Sequence, residues 1–389
     1  MSLREFAEKA EQYVVELLTG RRRTRGDRAA LAALFLLSRL YRAAVQLRWQ
    51  AFDQRLLRQR MLGCLVVSIG NLTVGGTGKT PVVEVFARAL LERGRRVAIL
   101  SRGYRSKSKP LLEKLRDRLT RADHDVPPKV VSDGRRLLLD SATAGDEPYM
   151  LASNVKQAIV LVDKDRVKSG RYAIRRFGAD TLILDDGFQY LRLRPHINIL
   201  LVDSTNPFHN HHLLPRGLLR EPIRQLRRAN YVFLTKSNGG RHLRHLKAFI
   251  AKHNPRAEII ECTHRPQYLV DLYSHEHRPL EALRGRRIAA ISGIAVPEGF
   301  EEFLRKLGGN LVHCERFADH HRFRPQEIID FHNAAVAAGA ELILTTEKDA
   351  VRFPHLDRRD LPVCYLRVQI DILKGHESFQ DCIARICFG

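Results

Sequence analysis

A chain of 389 residues, 44% hydrophobic and 28% charged, is long enough for two domains and too rich in apolar side chains for wholesale disorder. Lysine and arginine number 66 against 43 acidic residues, a formal charge of +23. That excess points to polyanionic partners: nucleic acid, anionic lipid headgroups or phosphorylated substrates. Six scattered cysteines without a C-x-x-C pair exclude a zinc framework and a small disulfide scaffold, and read as reduced thiols.

At the N-terminus acidic residues break up the apolar character, and no secretory signal is expected. After Arg21-Arg22-Arg23-Thr24-Arg25, residues 29–37 contain no polar side chain. Ser38 and Arg39 end the run short of the roughly 20 apolar residues that span a bilayer. At about 100° per residue, Arg28, Arg39, Arg42 and Gln46 share one narrow face, while Leu31, Leu34, Phe35, Tyr41 and Val45 lie mostly elsewhere. An apolar helix with an arginine stripe beside a polybasic segment fits a helix lying among anionic headgroups. A helix packed on the core is the alternative.

From Leu62 the pattern alternates between β-rich runs and helical stretches. Strands are expected at residues 65–69, 97–100, 158–162, 181–184, 197–202 and 231–234. Helices are expected at 80–93, before Gly94, and at 166–177, before Gly178. The charge-dense residues 105–125 read as an exposed loop or surface helix. The pattern dilutes over residues 238–275, which reads as a transition. A second α/β block follows, with strands at 287–291, 311–314 and 342–345 and helices at 297–307 and 325–338. Strands separated by helices imply βαβ units and a mostly parallel sheet covered on both faces. The expected organisation is a membrane-associating helical segment over residues 1–60, a P-loop kinase core over 61–255 and a smaller C-terminal α/β domain over 256–389.

The stretch with the clearest chemistry is Gly70-Asn71-Leu72-Thr73-Val74-Gly75-Gly76-Thr77-Gly78-Lys79-Thr80-Pro81. A strand that ends in a Gly-rich turn and opens into a helix presents a nest of backbone N–H groups suited to phosphates. Gly75, Gly76, Thr77 and Gly78 would wrap the anion, Lys79 would reach the β and γ phosphates, and the Thr80 hydroxyl would ligate Mg²⁺. The strict pattern wants glycine where Thr73 stands. Such a site also needs a carboxylate at the end of an apolar strand, and Asp185-Asp186 after residues 181–184 supplies two. No guanine-reading N-K-x-D element is evident beyond a faint echo in Thr235-Lys236-Ser237-Asn238, so ATP is favoured over GTP.

With both elements in place, the chain resembles the tetraacyldisaccharide 4′-kinases, the lipid A 4′-kinase family, from about Tyr41 to about Phe353. The resemblance rests on residues 68–81, Ser101-Arg102-Gly103-Tyr104, Gly145-Asp146-Glu147-Pro148, Asp185-Asp186-Gly187-Phe188-Gln189 and residues 214–222. It extends to residues 292–297, Phe317-Ala318-Asp319-His320-His321 and Thr346-Glu347-Lys348-Asp349. It implies phosphoryl transfer from ATP, with Mg²⁺, to the 4′-hydroxyl of a tetraacylated glucosamine disaccharide 1-phosphate. It also implies work at the cytoplasmic face of a bacterial inner membrane. By the same resemblance Lys79 and Thr80 serve phosphate and magnesium, and Asp185 and Asp186 form the metal-side pair. Asp146 is the catalytic base, assisted by His320. Arg102, Arg166, Gln189, Arg220 and Glu221 line or support the site. A sugar hydroxyl is a weak nucleophile, so a carboxylate must take its proton as it attacks.

Three departures fall near the expected substrate mouth. Tyr190 follows Gln189 where the family pattern has histidine. His209-Asn210-His211-His212 replaces a Gly-Asn-Gly turn, and Arg216 stands where a small residue is common. The histidine cluster reads as a solvated loop rather than a metal site, because no cysteine or carboxylate pattern accompanies it. The alternatives are a P-loop ATPase and, prompted by charge alone, a nucleic-acid-binding protein. No nucleic-acid-reading motif is present, and no nucleic-acid partner is expected.

Overall fold

The structure, a computed structural model, describes residue 17 and residues 24–103, 126–241, 243–354, 356, 358 and 360–388. The basic residues Arg21 to Arg23, Tyr104 and the expected surface segment 105–125 lie outside the described residues.

Helix α1 (Arg25–Asp53) opens with a capping box: the Asp27 amide donates to the Thr24 hydroxyl, and the Thr24 amide donates to the Asp27 carboxylate at 2.8 Å. Strand β1 (Leu65–Asn71) feeds helix α2 (Lys79–Glu92), then β2 (Val97–Ser101) and β3 (Lys129–Asp133). Two short helices, α3 (Ser141–Ala144) and α4 (Asp146–Asn154), lead to β4 (Ile159–Val162). Helix α5 (Arg166–Phe177) starts where the Asp165 carboxylate accepts from the amides of Val167 and Lys168, and stops at Gly178 in the left-handed region. Strands β5 (Thr181–Asp185), β6 (Ile197–Asp203) and β7 (Tyr231–Thr235) follow.

The residues expected to be a diluted transition are ordered instead as helix α6 (Leu243–His253) and the fourteen-residue strand β8 (Glu258–Asp271), which also pairs with the short β9 (His277–Arg278). Strand β8 alternates too irregularly to read from sequence because its register slips opposite Pro266, at Arg367/Val368. Beyond it come β10 (Arg287–Ser292), α7 (Pro297–Lys306), β11 (Asn310–Arg316) and α8 (Pro325–Ala337). The chain ends with β12 (Leu342–Thr346), α9 (Glu347–Ala350), β13 (Val363–Lys374) and α10 (His376–Phe388).

Among the described residues all strands join one sheet in the order β11-β10-β12-β13-β8-β7-β6-β1-β5-β2-β4-β3, with β9 beside β8. Every pairing is parallel except β3–β4, β8–β9 and β8–β13. The long antiparallel pair β8–β13 therefore splices two parallel halves into one sheet. Alternate side chains serve opposite faces. Val67 and Ile69 of β1 pack with Phe86 and Leu90 of α2, whereas Val66 packs with Val167 and Ala173 of α5. In the second half Ile288 and Ala290 meet Phe300 and Leu304 of α7, and Ala289 and Ile291 meet Phe331 and Ala335 of α8. The last helix, α10, returns to the first half, burying Phe379, Cys382 and Ile383 against Phe86 and Phe233. The architecture is α/β with a P-loop between β1 and α2.

Candidate active site

The turn from β1 to α2 is held from behind. The Thr235 hydroxyl at the end of β7 donates to the Thr77 carbonyl at 2.9 Å. Gly78, at φ +76°, is the N-cap of α2, and a Cβ on it would sit 2.6 Å from the His264 imidazole of β8. Burial, then the charge of Lys236, pushes that imidazole down to about 4, so an uncharged ring backs the loop at neutral pH. Gly70 allows a second close approach, since a Cβ there would lie 2.8 Å from Phe188. The turn carrying Asp185 and Asp186 thus rests directly on β1.

Asp185 and Asp186 are adjacent but electrostatically opposed. Asp185 is buried and accepts from the Ser101 hydroxyl at 2.9 Å. Burial, reinforced by Glu147 and Asp186, pushes its carboxyl up to about 7. Burial would raise Asp186 as well, but two hydrogen bonds from Arg220 at 2.8 and 2.9 Å, with the Lys79 amine 3.8 Å away, bring it down to about 2. Asn71 accepts from Lys79 at 3.4 Å and from Arg220. The Gln189 amide donates to the Asn71 carbonyl at 2.8 Å.

Arg166 donates to the Asp185 carbonyl at 3.3 Å and lies over the Tyr190 ring at 5.0 Å. The Tyr190 hydroxyl donates to Asp165, the cap of α5, at 2.9 Å. Tyr190 is thereby accommodated by bonding to the residue that positions Arg166. Arg102, at the exposed end of β2, stands close enough to Arg166 for the like charges to interact. Glu221 is buried, accepting from the Trp49 indole at 3.2 Å and pairing with Arg228.

Among the described residues no group of three or more His, Cys, Asp or Glu side chains is placed to hold a metal ion. Thr80, Asp185 and Asp186 offer hard oxygen donors, with Asp185 pushed up to about 7 by burial and then by Glu147 and Asp186. Such a donor set suits Mg²⁺, which typically takes one or two carboxylates and draws its remaining ligands from phosphates and water.

Asp146 begins α4, immediately after Gly145 at φ +95°. His320 Nδ1 lies 3.2 Å from its carboxylate, Arg352 Nε 3.0 Å and Arg322 3.5 Å. Burial acts to raise this carboxyl, but the His320 bond and the two arginines outweigh it and hold the group below the usual carboxylate range. The other ring nitrogen of His320 lies 3.1 Å from the Lys348 amine. An ammonium can only donate, so Nε2 accepts and the ring proton sits on Nδ1, directed at Asp146. Arg352, its side chain wholly enclosed, also pairs with Asp349 at 3.2 Å, and Asp349 accepts from the Gly293 amide. Glu147 ties the two clusters electrostatically through its effect on Asp185.

A buried ion-pair set fixes the second half of the sheet to the phosphate loop's helix. Arg367 of β13 makes paired hydrogen bonds to Glu84 of α2 at 2.6 and 2.9 Å and to Glu347 of α9 at 2.6 and 2.7 Å. Asn154, at the end of α4, donates to the same Glu347. The structure therefore gathers Gly75 to Thr80, Asp185, Asp186, Arg166, Gln189 and Arg220 in one cluster and Asp146 with His320 in a second. Sequence reasoning assigns no role to Asn71, Glu147 or Lys348, although all three lie within the motif stretches, and nothing in the pattern around Arg352 or Arg367 marks either.

The tetraacyldisaccharide-1-P 4′-kinase family model matches residues 30–387. A tetraacyldisaccharide 4′-kinase of Syntrophus aciditrophicus is 40% identical over 374 residues, covering 92% of this chain and 94% of the relative. One of Geobacter sulfurreducens is 40% identical over 334 residues, covering 85% and 87%. The crystal structure of LpxK from Aquifex aeolicus in complex with ATP superimposes with a TM-score of 0.70 at 28% identity, over 92% of this chain and all of that one. With a matched model across nearly its whole length and a shared fold, this chain is a kinase and belongs to the tetraacyldisaccharide 4′-kinase family.

Proposed function

We propose that the chain transfers the γ-phosphoryl group of ATP to the 4′-hydroxyl of a tetraacylated glucosamine disaccharide 1-phosphate, a step of lipid A synthesis. Asp146 acts as the general base and His320 as the group that orients it. The observation that carries this reading is the contact of Asp146 with His320 at 3.2 Å, at the start of the helix whose next residue, Glu147, lies near enough to Asp185 for their like charges to interact. The names of the relatives, and the ATP in the Aquifex crystal, support the same reaction.

In this mechanism the backbone of residues 75–80 and Lys79 hold the phosphates. Thr80, Asp185 and Asp186 would hold Mg²⁺, which when bound neutralises charge on the transferring group. The Asp146 carboxylate takes the sugar hydroxyl proton as that oxygen bonds to the γ-phosphorus and the bond to the β-side bridging oxygen breaks. The His320 bond and the charges of Arg352 and Arg322 favour the ionised form of Asp146. Arg166, Arg220 and Lys79 offset the negative charge on the phosphates.

Helix α1 brings the lipid to the site. It is long and apolar enough to cross a membrane by length and composition, with only 6% of its most apolar window buried. Leu36, Leu40 and Leu47 are 65%, 69% and 65% exposed. We infer that it lies in the anionic cytoplasmic leaflet of the inner membrane, peripherally or monotopically, with the basic surface towards headgroups. The division into residues 1–60, 61–255 and 256–389 is kept as the functional partition, with α10 seated on the core.

Incubating the purified chain with radiolabelled ATP, Mg²⁺ and the disaccharide monophosphate lipid tests the reading. Label in the lipid is expected. ATP hydrolysis with no labelled lipid would replace it by the ATPase reading.

A further inference from the structure

Trp49 is the chain's one tryptophan, near the C-terminal end of α1. Its indole N–H donates to buried Glu221 at 3.2 Å, and its ring lies 4.1 Å from the Arg228 guanidinium. The Phe188 ring lies 3.9 Å from the same guanidinium, which also donates to the Phe188 carbonyl at 2.8 Å and pairs with Glu221. Phe188 is two residues beyond Asp186, and Glu221 follows Arg220, whose guanidinium holds Asp186 with two hydrogen bonds. Two neighbours on α1 reach the same segments: Tyr41 donates to the Arg220 carbonyl at 3.0 Å and Arg48 to the Gln189 carbonyl at 2.8 Å.

One side of α1 therefore exposes leucines while another is bonded to the two stretches that set the place of Asp186. A buried carboxylate such as Glu221 keeps its position only while its partners remain. A guanidinium stacked on aromatic rings is likewise held in orientation as well as in place.

We propose that Trp49 is a positioning residue for Asp186, coupling the seat of α1 to the nucleotide site. The coupling rests on the reading of Asp186 as a nucleotide-side carboxylate. Coupling is reciprocal: if Trp49 sets the position of Asp186, MgATP bound there must alter the surroundings of Trp49. As the sole tryptophan, it reports this through its own emission.

The test uses the full chain in detergent micelles, titrated with MgATP while tryptophan emission and binding heat are followed in parallel. The expected result is an emission change whose midpoint matches the calorimetric one. Trp49→Ala should weaken MgATP by at least about five-fold and lower kcat, with the lipid KM unchanged. Trp49→Phe, which keeps a ring on Arg228, should recover most of the loss. MgATP binding without an emission change, or Trp49→Phe as impaired as Trp49→Ala, would overturn the coupling. If Trp49→Ala does not fold, the wild-type emission arm decides alone. A folded chain that bound no MgATP would overturn the kinase reading and the coupling with it, whereas MgATP binding without lipid labelling would remove only the former.

Discussion

Asp146 and His320 stand 174 residues apart in the chain and 3.2 Å apart in the fold. Asp146 comes from the first half of the sheet, at the start of α4, and His320 from the loop after β11, itself at φ +63°. Lys348 and Arg352, both after β12, complete their surroundings. A carboxylate and an imidazole are brought together here by two separate halves of the sheet, and the charge on the carboxylate is set by both.

Asp146→Asn removes the proton acceptor and should lower kcat by about 10²–10⁴-fold, while MgATP affinity stays near that of the wild type. His320→Gln leaves the carboxylate but removes its orienting ring, and should have a smaller effect. Steady-state kinetics on the lipid, with calorimetry for MgATP, checks both. A near-normal Asp146→Asn enzyme would mean that another group is the base.

Asp185, pushed up to about 7 by burial and then by Glu147 and Asp186, must lose its proton to ligate a cation. Divalent binding to the full chain should weaken as pH falls through about 7 and should release a proton, detected as a buffer-dependent calorimetric heat. The stability effect has a definite sign. The folded value lies above the unfolded value of about 3.9, so the folded chain binds more protons in between, and this contribution to stability falls as pH rises from about 4 to about 7. Asp186 and Asp146 are lowered, so their contributions are present above about 4 and fade as pH falls below it. Metal-free denaturation of Asp185→Asn across this range should show a flatter profile than wild type.

Arg367 bonds both Glu84 and Glu347 with little exposure on any of the three. Arg367→Ala leaves Glu347 with its Asn154 bond but no guanidinium and Glu84 with only the more distant, half-exposed Arg88, and should destabilise the chain by roughly 3–5 kcal/mol. Urea denaturation measures it. A loss below about 1 kcal/mol would show that water replaces the arginine at little cost.

Leu36→Asp with Leu40→Asp puts charge on the exposed face of α1 without touching Tyr41, Arg48 or Trp49. Since burying a leucine contributes roughly 1.5–3 kcal/mol, anionic-vesicle binding should drop by at least about ten-fold. Vesicle flotation of the double variant checks this, and undiminished flotation would place the membrane contact elsewhere. Point variants separate this from folding better than removing residues 1–50, which would also strip Trp49 from Glu221.

Much of the first half was readable because its signals are local. Residues 166–177 form the expected helix to the residue, because the Asp165 cap and the Gly178 stop are adjacent in sequence. The phosphate loop between a buried strand and a helix, and Asp185-Asp186 at the end of another, follow from the same short-range logic. Strand β8 was hidden because its pairing with β13 and the register slip beside Pro266 involve residues a hundred positions away.

The sequence by itself determined that the chain carries a Gly-rich loop between a strand and a helix and a carboxylate pair at the end of another strand, and through its resemblance which family the chain belongs to. Composition and periodicity are properties of neighbours, and those features need only neighbours. The tertiary structure alone decided that Asp146 meets His320, that Arg352 is enclosed between Asp146 and Asp349, and that α1 turns leucines outward while Trp49 holds Glu221. The meetings of Asp146 with His320 and Arg352 are set by how the two parallel halves join across β8 and β13, and that of Trp49 with Glu221 by how α1 seats on the first half; chain-local spacing records neither.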